Sequence, residues 1–253
     1  MLKNQYKVLG VMSGTSLDGI DIVECDFEIN KPWSFSIRKA QTIVYSNNWL
    51  HILKGISNLN IDELLVVDKA YTHYLAEQIN SFLDRNEIEG LDFISSHGHT
   101  AKHRPSEGLT YQIGNLPELA ILTNQKVVCD FRVQDVELGG QGAPLVPVGD
   151  ELLFRTYDYC LNLGGFSNVS YSENNKRIAF DISPVNTVLN YYAAKLGLDY
   201  DKNGEVSSGG NINLGLFEKL NALDYYAQSW PKSLGIEWVH NEFIPLVDSF
   251  DLN

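Results

Sequence analysis

An order of elements that occurs twice constrains this chain more than any other feature. Residues Tyr6–Met12 are β-prone, and Ser13–Gly19 form a turn rich in Gly, Ser, Thr and Asp. Ile20–Phe27 is β-prone again, and Ser34–Val44 supplies a third strand. About 150 residues later the order returns: Tyr159–Leu163, a small-residue turn at Gly164–Asn168, Val169–Tyr171, and a third strand at Lys176–Asp181. A helix is expected after each unit. Asn60 and Glu63 have capping-box spacing for a helix over residues 62–86, with Leu64, Val67, Tyr71, Tyr74, Leu75, Gln78 and Phe82 largely on one face. Ser183 and Pro184 are expected to start the other, which carries Val188, Leu189, Tyr192 and Leu196 and stops at Gly197. Only the order recurs, not the residues, which excludes a solenoid. Two related α/β lobes, residues 1–130 and 131–253, are the expected organisation, and 253 residues suffice for both.

Between the two units, Leu91–Ser96 reads as a short buried strand. Pro117 suits the first turn of a helix to Asn124, and Lys126–Asp130 reads as a further strand. The stretch Gly139-Gly140-Gln141-Gly142-Ala143-Pro144 has too many small residues for regular structure. A final helix is expected over 213–228, after which the chain runs through Pro231–Trp238 to Asn253 without a closing element.

The first turn carries the strongest chemical signal. Glycines admit close approach of an anion, and successive N–H groups with Ser and Thr hydroxyls can donate to phosphate oxygens. Asp18 and Asp21 are hard oxygen ligands of the kind that hold Mg²⁺. Gly, Ser and Asp are also ordinary hairpin-turn residues, and the turn is neither a Walker A loop nor a GxGxxG fingerprint. Gly164, Gly165, Ser167 and Asn168 occupy the equivalent position in the second unit. Two such turns facing one cleft would clamp a polyphosphate.

Charge narrows the partners. Lys plus Arg is 19 against 32 Asp plus Glu, a net charge of −13. Such a surface repels nucleic acid and anionic lipid, and the densest cationic stretch is only Lys102-His103-Arg104. The odd, widely spaced Cys25, Cys129 and Cys160 suit free thiols in a reducing compartment. The N-terminus lacks the apolar stretch of a signal peptide, and no apolar run approaches the roughly 20 residues of a membrane span. A cytoplasmic location is expected.

His97, His99 and His103 invite a metal reading, but 97 and 99 would point to opposite faces of a continuing strand, and no carboxylate ligand stands nearby. Hydrogen bonding to a polar substrate, or loop structure, is the preferred reading. Asp199, Asp201, Asn203 and Gly204 copy half an EF-hand loop, but Gly210 falls where its bidentate Glu belongs, so an Asx-rich turn is expected. Asp181 ends a strand just before a helix, at the sheet edge where α/β proteins bind ligands. A helix N-terminus would keep its carboxylate ionised, as a general base needs. It could equally be a helix cap.

Together, GVMSGTSLDGID (10–21), SSHGHTAKHRP (95–105), YQIGNLPELA (111–120), VVCDFRVQDVELGGQGAPLVP (127–147), LNLGGFSNVS (161–170), FDISPVN (180–186) and PKSLGIEW (231–238) closely resemble the anhydro-N-acetylmuramic acid kinases. These are sugar kinases of the actin/hexokinase/Hsp70-like superfamily. The resemblance implies an actin-like (ribonuclease H-like) fold with two lobes around a cleft. It also implies an ATP- and Mg²⁺-dependent reaction that opens the 1,6-anhydro bridge and phosphorylates O6, giving N-acetylmuramic acid 6-phosphate in murein recycling. By matching position, Gly14, Thr15, Ser16, Leu17, Asp18, Gly19, Ile20 and Asp21 look like the ATP phosphate site. Asp181 looks like the base that activates water, and His97, Gly98, Arg132 and Asp135 look like the sugar-side walls. The implied partners are an amino sugar and ATP, not nucleic acid or membrane, with homodimerisation left open.

Two departures stand out. Where the family reads Gly-Pro-Gly-Asn, this chain has Ser183-Pro184-Val185-Asn186, so a valine replaces a close-approach glycine beside Asp181. Family members are also considerably longer, with a C-terminal glycine-rich segment that cradles adenosine. The second lobe is therefore expected to be truncated, leaving apolar surface around the last helix. An inactive homologue that binds amino sugar without turnover is the alternative reading.

Overall fold

A computed structural model describes residues 3–14, 17–30, 32–104, 107–140, 142 and 145–250. Close contacts divide the chain into two units, one ending at Leu145 and one beginning at Val146.

The first unit is built on a five-stranded mixed sheet of order β3-β2-β1-β4-β7. Strands β1 (Gln5–Ser13), β2 (Ile20–Glu28) and β3 (Ser34–Ile43) form an antiparallel meander. Strands β4 (Phe93–Ser96) and β7 (Val127–Val128) then add in parallel to β1. Helix α1 (Asn47–Gly55) precedes the long α2 (Ile61–Arg85). The Asn60 side chain accepts the Glu63 N–H at 3.0 Å while Glu63 accepts the Asn60 N–H at 2.9 Å, so the capping box forms. One face of α2, with Leu64, Tyr71, Leu75, Ile79 and Phe82, packs on Leu9, Val11, Ile20, Ile22 and Ile94 of the sheet. Burying each such side chain contributes about 1.5–3 kcal/mol, which makes this layer the core of the unit. A hairpin, β5 (His99–Arg104) with β6 (Leu109–Ile113), follows β4, and α3 (Glu118–Thr123) and α4 (Phe131–Glu137) complete the unit. Because α4 packs against β6, the division falls after residue 145 and not at the expected 130.

In the second unit the antiparallel order recurs as β10-β9-β8. Strand β8 (Tyr159–Leu163) pairs with β9 (Phe166–Glu173), and β9 with β10 (Lys176–Pro184). Helix α5 (Val146–Leu153) lies against β9 and β10, where Arg177 reaches Asp150 and Glu151 at 3.8 Å each. The edge strand β8 leaves Tyr159, Leu161 and Leu163 more than half exposed.

Several expected elements differ. The second-unit turn is only Gly164–Gly165, and β10 runs on through Pro184, so α6 (Asn186–Lys195) starts after the proline rather than at Ser183. The expected helix over 213–228 is interrupted at Ala222–Leu223 into α8 (Leu214–Asn221) and α9 (Asp224–Ala227); α7 (Glu205–Ser208) precedes them. Beyond Pro231 the chain is not featureless. Helical segments run through Ile236–Trp238, Val239–Phe243 and Ile244–Asp248, and Val239, Phe243, Ile244 and Val247 bury against Val188, Tyr192, Leu216 and Leu220. Apolar residues at 239, 243 and 247 have helical spacing, a signal the Pro and Gly of 231–235 obscured.

Candidate functional site

Strands β1 and β4 are parallel neighbours, so the turns that follow them emerge at one edge of one sheet. Val11 pairs with Ser96, and the His97 N–H donates to the Val11 carbonyl at 3.0 Å. This register sets the turn after β1, with Gly14 and Leu17–Gly19, beside His97 and Gly98. Thr15 and Ser16 lie outside the described residues. The Leu17 N–H donates to the Gly14 carbonyl at 3.2 Å, with Leu17 at φ 62° and packed on the core. A Cβ on Gly19 would stand 2.6 Å from the Ile43 carbonyl, so the glycine there permits the turn to pass under the end of β3. Ile20 is fully buried, and Asp21 accepts the Thr42 hydroxyl at 2.5 Å.

Gly98 turns the chain sharply at φ +67°, ending β4 and starting β5, so the strand does not continue through the histidines. A Cβ there would meet the Ile113 carbonyl at 2.7 Å and Asn115 Nδ2 at 2.8 Å. Asn115 ties this corner together: its Oδ1 accepts the Ser96 hydroxyl at 3.0 Å, and its Nδ2 donates to Asp130 at 2.9 Å. Asp130, at φ 60°, leads into α4, which carries Arg132 and Asp135. Burial lowers the pKa of both His97 and His103, and the charge of Arg132 lowers each further, against a bond to the Gly98 carbonyl that raises His97. Arg132 Nε is buried and has no hydrogen-bond partner among the described residues. Asp135 accepts the Gly142 N–H at 2.7 Å, and its carbonyl accepts that of Gly140, so it holds the glycine loop whose Gln141, Ala143 and Pro144 lie outside the described residues.

In the second unit the Gly164–Gly165 turn faces its carbonyls toward α6. Gly165 accepts from Val185 at 2.8 Å and Thr187 at 3.1 Å, and Gly164 accepts from Asn186 at 3.2 Å. Main-chain carbonyls therefore receive the first N–H groups of α6, and no side chain caps it. Val185 sits at φ −128°, outside the left-handed region that would call for glycine. The Ser167 hydroxyl donates to the Ser183 carbonyl at 3.0 Å, and Asn168 pairs with Asp181 across the strands.

Asp181 lies within β10 just before a register shift, not at a helix N-terminus and not as the cap of α6. Its Oδ2 accepts the Leu234 N–H at 2.8 Å, and its carbonyl accepts the Tyr225 hydroxyl at 2.6 Å. Burial, with the charge of Asp181, pushes the Tyr225 phenol up to about 12, so it stays a donor at neutral pH. Asp201 accepts from the Val206 and Ser207 N–H groups at 2.9 and 3.0 Å, five and six residues on, so its carboxylate holds the start of α7 rather than closing the Asx turn expected of that segment.

Sequence reasoning missed the polar groups beneath the first turn. The spacing puts Tyr71 on the core face of α2, yet its hydroxyl, like those of Ser13 and Tyr45 and the His99 ring, is buried in one hydrogen-bonded group. A phenol on a fully buried helix face must find a partner, which is the signal that was available. Cys25, Cys129 and Cys160 are unbridged, and burial followed by Asp130 pushes the Cys129 thiol up to about 11.

The anhydro-N-acetylmuramic acid kinase family model matches residues 6–246. An anhydro-N-acetylmuramic acid kinase of Shewanella denitrificans is 36% identical over 94% of this chain and 66% of its own length. Those of Pseudomonas savastanoi pv. phaseolicola and Pseudomonas syringae pv. syringae are 36% and 38% identical, over 94% and 90% of this chain and 68% and 65% of theirs. The chain thus spans about two thirds of the length of the curated relatives it matches. With that match covering the turns, the Gly98 corner and the Asp181 strand alike, the chain belongs to the anhydro-N-acetylmuramic acid kinase family.

Proposed function

We propose that this chain carries the two actin-like lobes of an ATP-dependent kinase that opens the 1,6-anhydro bridge of anhydro-N-acetylmuramic acid and phosphorylates O6. The observation that carries this reading lies within the first unit. The β1 turn and the His97–Gly98 corner leave adjacent parallel strands at their carboxyl ends, where α/β sheets receive ligands. In this assignment Gly14–Asp21 take the nucleotide phosphates, with Gly164, Gly165, Ser167 and Asn168 as the second phosphate turn. His97, Gly98, Arg132 and Asp135 wall the sugar.

Asp18 and Asp21 fit Mg²⁺, which is ordinarily held by one or two carboxylates plus substrate phosphates. Among the described residues no group of three or more His, Cys, Asp or Glu could hold a metal alone, so the phosphates would supply the remaining ligands. When bound, the ion would offset charge on the transferred phosphoryl group.

In the proposed reaction the Asp181 carboxylate accepts a proton from water as that water adds to the anomeric carbon. The C1–O6 bond breaks, and O6 takes the γ-phosphoryl group of ATP, leaving ADP. The Leu234 N–H fixes the Asp181 side chain for this step. The amino sugar and ATP are the proposed partners, the cytoplasm the proposed location, and a homodimer the assembly to test. Among the described residues no helix is long and apolar enough to cross a membrane.

Incubating the chain with the anhydro sugar and MgATP in ¹⁸O-water tests the reading by mass spectrometry. The expected product is N-acetylmuramic acid 6-phosphate with one ¹⁸O at C1. Sugar binding without ADP formation would instead identify a binder that does not turn over.

A further inference from the structure

Ser13 is the last residue of β1 and directly precedes Gly14, and its side chain is not part of the turn's surface. It is 2% exposed and joins three other buried polar groups, two from α2 and β5 and one from the segment between β3 and α1. Ser13 Oγ is 2.5 Å from the Tyr45 hydroxyl, 2.9 Å from the Tyr71 hydroxyl and 2.8 Å from His99 Nδ1. The two phenols are 2.8 Å apart. Tyr45 follows β3, Tyr71 is on α2, and His99 opens β5 just past the Gly98 corner. The group therefore ties the base of the β1 turn to the base of the His97–Gly98 turn.

Counting protons fixes its state. Four contacts need four protons, and the three hydroxyls bring one each. If Nδ1 accepted from Ser13, two protons would remain for the three O···O contacts, and one close oxygen pair would face itself unbridged. If Nδ1 carries hydrogen, every contact is satisfied: His99 donates to Ser13, Ser13 to Tyr45, Tyr45 to Tyr71 and Tyr71 to Ser13. The hydroxyls then form a closed ring in which each group donates once, the arrangement in which buried hydrogen bonds reinforce one another. Burial pushes both phenols up and the imidazole down, so all members are neutral at pH 7.

We propose that His99, in its Nδ1–H tautomer, completes this ring and that the ring positions the Gly14–Gly19 turn for nucleotide, which makes Ser13, Tyr45, Tyr71 and His99 positioning residues. The inference rests on the nucleotide assignment of that turn. It goes beyond it by naming residues that touch neither substrate.

Two measurements separate the ring from the assignment. Long-range ¹H–¹⁵N spectra of the wild-type chain should show hydrogen on His99 Nδ1; hydrogen on Nε2 alone overturns the proposal. MgATP affinity is then measured on folded Tyr45→Phe, His99→Leu and His99→Asn proteins. Tyr45→Phe keeps the ring volume, and an Asn amide can donate where Nδ1–H does. Tyr45→Phe removes the two bonds of that hydroxyl and His99→Leu the one to Ser13, and each is expected to weaken MgATP binding about tenfold or more, with His99→Asn within about threefold of wild type. Packing alone would make Leu at least as good as Asn, and that order, or unchanged affinity in Tyr45→Phe, overturns the positioning role. A wild-type chain with the Nδ1–H signal that binds no MgATP overturns the nucleotide assignment and the positioning role with it, while the ring itself stands.

Discussion

The Asp181 carboxylate accepts the main-chain N–H of Leu234 across 2.8 Å, joining β10 to a segment 53 residues further along the chain. The same strand residue takes the Tyr225 hydroxyl on its carbonyl. Asp181 is thus held from two sides by elements that only tertiary folding brings to it. Asn in its place keeps an oxygen for the Leu234 N–H but loses the proton acceptor. Asp181→Asn is expected to lower turnover roughly 10²–10⁴-fold, the range for a general base. Sugar affinity by calorimetry should stay close to wild type. A folded Asp181→Asn protein with normal turnover would move the base elsewhere, to Asp135, Asp18 or Asp21.

The two glycines of the first turn should fail in different ways. Gly14→Val places a side chain where the phosphate oxygens are assigned, so nucleotide-dependent activity should vanish while the circular dichroism spectrum is kept. Gly19→Ala puts a methyl 2.6 Å from the Ile43 carbonyl, so it should lower the unfolding midpoint itself. Retained ATP dependence in folded Gly14→Val would remove the phosphate assignment.

At Gly98 the expected fault is stability first. An Ala there must hold φ +67° and meet Ile113 and Asn115. Conformation alone should cost about 1–3 kcal/mol, with steric overlap added, read as a lower urea midpoint. Unchanged stability would mean that the corner is not built as described.

Arg132 offers a test that needs no turnover. After burial, its charge is what lowers the His97 and His103 pKa values. Arg132→Gln should raise both in an NMR titration, and weaken sugar binding if the guanidinium walls the sugar. Unmoved histidines would separate Arg132 from that corner.

The sequence was most legible where one local signal decides one element. The Asn60–Glu63 spacing placed α2, and alternating β-prone runs placed β1, β2, β3 and β8. It was least legible where long-range contacts decide. Pro184 is a plausible helix start in sequence, yet pairing with Phe166 keeps it in β10. The β5–β6 hairpin owes its start to Gly98 adopting a left-handed conformation, which no periodicity announces. The same limit applied to the site. Asp181 was found as a chemical type in a promising place, but its partner Leu234 was out of reach of any spacing rule. His99 drew notice only as one of three histidines, because nothing local says that Ser13, Tyr45 and Tyr71 will converge on it.

Acid should expose the state of His99 directly. Burial, and then the charge of His97, lower its pKa to about 4. An unfolded histidine titrates near 6.5, so between those values the unfolded chain binds a proton that the native chain refuses. Stability from this group is fully present above about pH 6.5 and falls as pH drops toward 4, by about 3 kcal/mol in all for a side chain only 1% exposed. His97 and His103 are lowered in the same direction and add to the loss. Asp68 acts oppositely. Burial raises its carboxyl above the usual range despite its bonds from Gly114, Tyr111 and Thr72, so the native state takes up that proton first and regains stability at the acid end. Urea midpoints at pH 7, 6 and 5 should therefore decline steadily before levelling near pH 4. In His99→Asn the slope between pH 6.5 and 4.5 should flatten, because the titrating group is gone. A wild-type profile that is flat or rising on acidification over that window would mean that His99 is not held neutral beneath the first turn.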